Sequence, residues 1–234
     1  MNLATILDGH PDGATALITR GKPTTYGELR AQVDELRGGL ARLGVGRGDR
    51  VAILLPNNGL FPVAYLATIG LGGVAVLLNP QSPATELQAE LAAVRPKVAF
   101  VGASAGAAFA DVDRAAAKIE HVVTPEGVSV PGAVDLTTLQ GGAPVPVVDV
   151  ADGDLAVLVF TSGTAGNPKA AMLSHGNLRA NLDQVQQHPG RALNPGDVSL
   201  GVLPLFHIFG LNVVLGLSLV AGASVVLVER FDPA

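Results

Sequence analysis

Leu155-Ala156-Val157-Leu158-Val159-Phe160-Thr161-Ser162-Gly163-Thr164-Ala165-Gly166-Asn167-Pro168-Lys169-Ala170-Ala171-Met172-Leu173 reads as strand, polar glycine loop, strand. The apolar run before Thr161 is uninterrupted, as in a strand buried on both faces. Thr161–Lys169 then gathers three hydroxyls, two glycines and one lysine. Glycines let backbone N–H groups approach and point inward. The hydroxyls donate hydrogen bonds, and the lysine adds a mobile positive charge. Such a loop suits a polyphosphate, that of ATP above all. It is not a Walker A loop, which needs G-x-x-x-x-G-K-[ST] between a strand and a helix. Here Lys169 stands behind Pro168 and is followed by Ala170. The plainer reading is a β-hairpin turn, because Gly, Asn, Pro, Ser and Thr all favour turns.

Upstream, Thr25-Tyr26-Gly27-Glu28 has the form of a capping box. Leu29, Val33, Leu36, Leu40 and Leu43 follow at helical spacing, and Gly44 stops the helix. Gly46-Arg47-Gly48-Asp49 follows a helix and precedes the strand Val51–Leu55, so it is a turn rather than a dinucleotide fingerprint. Pro56 ends that strand, a helix runs to about Leu71, and the strand Val74–Leu78 comes next. Ser82-Pro83 reads as an N-cap with proline in the first turn. Lys97–Val101 reads as a strand. Partly helical sequence continues to about Ala117, and 128–149 is a connecting region rich in proline and glycine.

The chain then repeats itself. Tyr26-Gly27-Glu28-Leu29-Arg30-Ala31 aligns with His175-Gly176-Asn177-Leu178-Arg179-Ala180, Gly48-Asp49 with Gly196-Asp197, Pro56 with Pro204, and Gly72 with Gly222. One order recurs: hairpin, helix, Gly-Asp turn, strand, apolar helix, Gly turn, strand. Residues 1–150 and 151–234 are thus expected to be two related α/β halves, with mainly parallel sheets flanked by helices. The second half stops where a further helix is due. In the first half the hairpin turn is short, Thr19-Arg20-Gly21-Lys22-Pro23, and Gly21-Lys22-Pro23 aligns with Gly166-Asn167-Pro168. The loop is therefore an enlarged turn in the second copy.

Composition narrows the function. Hydrophobic content is 48% against 15% charged, enough for a large core, and a net charge of −5 without a basic cluster argues against nucleic acid as partner. The absence of cysteine excludes disulfides, thiolate metal sites and a cysteine nucleophile. Two apolar spans, Leu60–Leu78 and Leu211–Val228, are long enough to cross a membrane. Gly72-Gly73 and Gly222 divide them, so each reads as a buried helix followed by a buried strand. The start Met1–Asp8 lacks the basic residues and apolar run of a signal peptide, and a cytoplasmic location is expected.

The stretch Phe160–His175 resembles the phosphate-loop signature of the adenylate-forming superfamily, Y-T-S-G-T-T-G-x-P-K-G-V-x-x-T-H. Thr161, Ser162, Gly163, Thr164, Gly166, Pro168, Lys169 and His175 match it, while Phe160, Ala165, Ala170 and Ser174 depart. Leu203-Pro204-Leu205-Phe206-His207-Ile208-Phe209-Gly210 is similar to the family segment that lines the acyl pocket, in a form most like fatty-acyl and aryl-CoA synthetases. The stretch Thr25–Asn79 also resembles the family's N-terminal region.

The resemblance implies an acyl-CoA synthetase-like enzyme acting on fatty or other apolar carboxylic acids, with long- or medium-chain fatty acids as the finer expectation. Carboxylate and MgATP would give an acyl-adenylate and pyrophosphate, and CoA or a carrier thiol would then displace AMP. By resemblance, Thr161, Ser162, Gly163, Thr164, Ala165, Gly166 and Lys169 hold the phosphates, and Thr164 faces Mg2+. Lys169 and His207 are the catalytic candidates, with Lys169 neutralising the pyrophosphate and His207 positioning the substrate. Phe206, His207, Phe209 and Gly210 line the acyl pocket. Family members are more than twice this long, so the chain is expected to be a fragment with little ligase activity of its own. A polyphosphate-binding module and a self-associating scaffold fragment are the alternatives.

Overall fold

The computed structural model describes residues 1–161, 168–190 and 193–229, with the side chain of Thr161 excepted. The first copy comprises β1 (Thr15–Thr19), β2 (Lys22–Thr25), α1 (Tyr26–Arg42), β3 (Arg50–Leu54), α2 (Leu60–Gly70) and β4 (Val74–Leu77). It continues with α3 (Ala84–Val94), β5 (Val98–Val101), α4 (Ala103–Ala110), β6 (His121–Thr124) and β7 (Val134–Asp135). The second copy comprises β8 (Leu155–Thr161), β9 (Lys169–Ser174), α5 (His175–Gln186), β10 (Val198–Gly201), a π-helix (Phe209–Gly216), α6 (Leu217–Ala221) and β11 (Ser224–Leu227).

The repeat is exact at the level of hydrogen-bond register. β3 and β4 pair in parallel from Arg50↔Val74 to Ile53↔Leu77, and β10 and β11 from Val198↔Ser224 to Gly201↔Leu227. Both hairpins carry an irregularity at the same place, between Thr15 and Leu17 and between Leu155 and Val157. The helix starts match as well. Gly27 N–H donates to Asp12 O and Gly176 N–H to Asp152 O, while Arg30 and Arg179 pair with the same two aspartates. A side chain on Gly27 or Gly176 would press on that aspartate, which accounts for glycine at both positions.

The hairpins are exchanged between the copies. β1 pairs with β11 through Leu17↔Val225, Ile18↔Val226 and Thr19↔Leu227, and β8 pairs with β4 through Ala75↔Val157, Val76↔Leu158 and Leu77↔Val159. The sheet orders are β10-β11-β1-β2 and β7-β6-β5-β3-β4-β8-β9, so each sheet draws on both copies. The inter-strand pairs within the hairpins also correct one alignment. Pro23 lies opposite Ile18, and the matching position in copy two is Met172 opposite Leu158, not Pro168.

In the seven-stranded sheet, alternate residues serve two cores. Val51, Ile53, Ala75, Leu77, Val157 and Val159 join the larger core with α1, α2, α5, α6 and the second sheet. Ala52, Leu54, Val74, Val76 and Leu158 face a smaller core with α3 and α4. Burial on both faces explains the unbroken apolar runs. The two apolar spans are α2 with β4 and the π-helix–α6 segment with β11. Among the described residues no helix is long and apolar enough to cross a membrane.

Three readings change at the element level. Pro83, not Ser82, is the residue preceding the helix, and Ser82 is buried without capping it. β6, which the sequence reading did not assign, forms from His121-Val122-Val123-Thr124, with three β-branched residues, and pairs to β5. The connecting region is docked rather than free. It contains β7 and a 3-10 turn, Leu136–Leu139, and Arg37 Nε donates to Val145 O at 2.6 Å. Gly38 and Gly39 of α1 let it approach, because a Cβ at either would overlap the carbonyl oxygen of Ala143 or Leu139.

Candidate active site

β3, β4, β5, β6 and β8 run in parallel, so the chain leaves them all at one edge of the large sheet. In open α/β sheets that carboxyl edge is where ligands bind. The last pair of the β8–β9 ladder, Thr161↔Lys169, lies there. Thr19↔Lys22 closes the copy-one ladder, and its equivalent in copy two is Val159↔Ala171. These pairs span three positions and twelve, so copy two has nine additional residues. Part of the addition is ordered ladder, Phe160↔Ala170 and Thr161↔Lys169. Lys169 is thus fixed as the first residue of β9, opposite the Thr161 backbone, and is exposed. Ser162, Gly163, Thr164, Ala165 and Gly166 lie outside the described residues, as does the Thr161 side chain.

The second copy is also enlarged after β10. Thr68 Oγ1 donates to Ala64 O, and Ser218 Oγ donates to Val214 O, which aligns the apolar helices and sets Gly59 against Phe209. Pro56 and Gly59 are three positions apart, Pro204 and Phe209 five, so copy two has two additional residues within Leu205–Ile208, the stretch that holds Phe206 and His207. His207 is exposed, with its ring tilted against Phe206 at 4.6 Å. Its backbone is fixed on both sides, by His207 N–H to Pro204 O at 3.1 Å and Leu211 N–H to His207 O at 2.9 Å. Gly210 is buried beneath, and a Cβ there would overlap the Pro204 carbonyl oxygen.

Asn57 clamps this segment. Its amide donates to Gly201 O and Leu203 O at 3.2 and 2.8 Å, and its Oδ1 accepts the Leu205 N–H at 2.9 Å. A buried side chain from the end of β3 thereby joins the exit edges of the two sheets. The sequence reading passed over Asn57. The signal available was a polar residue directly after Pro56, at the end of an apolar strand.

Two cavities flank the segment. Leu173, Leu178, Ile208, Phe209 and Val213 make a mainly apolar groove of about 300 Å3. Asn212 lines it too, held by its amide to Asn181 Oδ1 at 2.8 Å. A polar crevice of about 490 Å3 runs along the exit edges past Asn57, Asn79, Ser104, Glu126 and Glu229, with Phe206 in its wall. Phe206 and Phe209 therefore line different cavities, and His207 stands between them in the chain. The π-helix starting at Phe209 shapes the groove, and such helices recur at functional sites.

His175 has a structural setting. It is fully buried at the first turn of α5, and its Nδ1 accepts the Leu3 N–H at 3.1 Å. Burial lowers its pKa to about 4, and the chain's amino terminus adds to this. Thr164, expected to face Mg2+, lies outside the described residues, and among the described residues no group of three His, Asp or Glu is placed to hold a metal.

Two sheets with exchanged hairpins, the larger of them mainly parallel, define the class of α/β fold. The AMP-binding enzyme family matches residues 3–234, and the chain belongs to it. It is 35% identical over 228 residues to 4-coumarate–CoA ligase 5 of Oryza sativa subsp. japonica, covering 94% of this chain and 40% of the relative. Among solved structures it is similar to ATP-bound MatB from Rhodopseudomonas palustris, with 32% identity, a TM-score of 0.85, and coverage of 99% of this chain and 46% of that one. A long-chain-fatty-acid–CoA ligase from Archaeoglobus fulgidus shares the fold, at 24% identity and a TM-score of 0.87, over 99% of this chain and 48% of its own. The chain thus spans less than half the length of these relatives.

Proposed function

We propose that this chain is the N-terminal part of an ATP-dependent carboxylate–CoA ligase, contributing the phosphate loop and the acyl groove. The observation that carries the reading is the coincidence of the two copy-two insertions. One gives the glycine-rich loop, the other enlarges the segment that holds His207, and both follow strands. The loop binds the β- and γ-phosphates through Thr161, Ser162, Gly163, Thr164, Ala165 and Gly166. Lys169 stabilises the negative charge that develops on the leaving pyrophosphate. Mg2+ accompanies the ATP, with Thr164 as its candidate contact, and CoA or a carrier thiol takes the acyl group. His207 positions the substrate carboxylate. Phe209 and Gly210 belong to the acyl side, and Phe206 to the wall of the crevice beside it. Catalysis is by positioning and electrostatics, which a chain without cysteine can supply.

The groove walls, Leu173, Leu178, Ile208, Phe209 and Val213, suit an apolar acid. Fatty and aryl acids both fit the P-x-F-H form of the sequence, and a relative named for 4-coumarate supports the aryl class. The cytoplasm is the setting we assign.

A charge-assisted contact contributes about 1.5–3 kcal/mol. In the enzyme that carries this chain, Lys169→Ala is therefore expected to slow carboxylate-dependent ATP–pyrophosphate exchange by about tenfold to a hundredfold. An unchanged rate would remove Lys169 from the mechanism. Running the same exchange with octanoate and 4-coumarate ranks the two acid classes.

A further inference from the structure

A cavity of about 470 Å3 lies in copy one, against the β1–β2 hairpin, α1, the start of α2 and the Leu136–Leu139 turn. Neither Lys169 nor the His207 segment lines it. Its volume is in the range of small-molecule sites, about 300–1,000 Å3. The repeat relates it to the copy-two groove. Thr24, Gln32, Gly59 and Val63 line the cavity, and their equivalents Leu173, Asn181, Phe209 and Val213 line the groove.

The two spaces differ in chemistry. Gly59 stands where copy two has Phe209, so an aromatic ring is replaced by open volume. Leu36, Leu60, Val63 and Leu136 supply apolar walls. The hairpin supplies Thr19 and Lys22. Thr19 Oγ1 is buried and has no hydrogen-bond partner among the described residues, so it lies behind the cavity wall rather than on its surface. Two other charged groups of the lining are committed: Arg20 pairs with Glu229 at 2.8 Å, and Glu35 Oε1 accepts the Gly141 N–H at 2.7 Å. Lys22 is exposed and has no ion pair among the described residues.

We propose that this cavity is a second ligand site, binding a small monocarboxylate with an apolar body. The carboxylate is held by Lys22 at the cavity mouth, and the hydrocarbon lies against Leu36, Leu60, Val63 and Leu136. The site is separate from the acyl groove, and the inference stands on the cavity's own chemistry rather than on the ligase reading.

Octanoate titrated into the 15N-labelled chain tests it, with octan-1-ol as the uncharged probe. Saturable amide shifts are expected at Thr19, Lys22, Gly59 and Val63, with octanol at least about tenfold weaker, the effect of losing one charge-assisted contact. Lys22→Gln should weaken octanoate by a similar factor and leave octanol unchanged. Gly59→Phe should abolish the shifts. Gly59 has helical backbone angles, and the nearest atom to an added Cβ is Thr19 Oγ1 at 3.7 Å, so the ring is admitted and fills the cavity. Shifts confined to Leu173–Val213, no shifts at all, or equal binding of octanoate and octanol would each overturn the proposal. If Gly59→Phe does not fold, the Lys22→Gln comparison decides alone.

Discussion

Glu90 sits on α3 almost fully buried, with Oε2 lacking a hydrogen-bond partner among the described residues. Burial pushes its pKa up to about 7, and the like charge of Glu86 one turn earlier adds to this. The folded chain therefore binds a proton that the unfolded chain releases between pH 4.5 and about 7. Stability contributed by the protonated group is present below 4.5 and is lost as pH rises through about 7. Glu90→Gln should raise the thermal midpoint at pH 8 and change it little at pH 4. A gain of equal size at both would show that the charge is not the cause. His175 acts with the opposite sign, since its folded pKa of about 4 lies below the ordinary 6.5 and stability falls as pH drops through that interval. The sequence aligned His175 with Tyr26 but did not say what either touches. Tyr26 reaches across to Ala223 O at 2.8 Å, whereas His175 meets Leu3. Those partners are 197 and 172 residues away, and no local pattern encodes them.

The two hairpin-to-helix junctions are built alike. Thr25 and Glu28 cap α1 reciprocally, and Ser174 and Asn177 do the same for α5. Thr25→Ala and Ser174→Ala should each cost about 1 kcal/mol in chemical denaturation, the usual loss for an N-cap hydroxyl. A loss in one helix and none in the other would mean that the junctions are not equivalent. The first box was legible because T-x-x-E precedes a periodic helix. Other elements were less so. Ser82-Pro83 has the right residues for a helix start, yet Ser82 is drawn into the interior and Pro83 takes the preceding position. β6 and β7 are short, four and two residues, so neither is long enough for an alternating pattern to stand out. The stem of the glycine-rich loop was read as a hairpin with an enlarged turn and its ladder is one; the pairing of Val159 with Ala171 sets the enlargement at nine residues.

Across the molecule, the copies differ in what covers their sheets. The outer face of the large sheet is packed by α3 and α4. On the small sheet the corresponding row runs Leu200, Val226, Ile18. Leu200 is 60% exposed, and Val198 on the same edge strand is 61% exposed. Among the described residues β10 pairs only with β11. An apolar edge of this kind invites association. The 234-residue chain is expected to self-associate with rising concentration in sedimentation velocity. Val198→Lys with Leu200→Lys should shift it towards monomer. A wild-type chain that stays monomeric at every concentration would rule the surface out.

Much of this protein is local in origin and was determined by the sequence alone. The buried strands follow from unbroken apolar runs, α1 from its spacing and cap, and the duplicated order from landmarks at a near-constant interval, while the residues of Thr161–Lys169 carry the phosphate-loop proposal. Tertiary structure decided which strands meet. Nothing in β8 distinguishes β4 from another apolar neighbour, since parallel pairing depends on edges brought together from distant parts of the chain. Through that pairing the hairpins change sheets, and the last pair of the β8–β9 ladder, Thr161↔Lys169, comes to the exit edge of the copy-one strands. The same folding sets Asn57 on the His207 segment and separates Phe206 from Phe209. These are non-local contacts, fixed by burying both faces of one sheet, and they exist only once the chain has closed on itself.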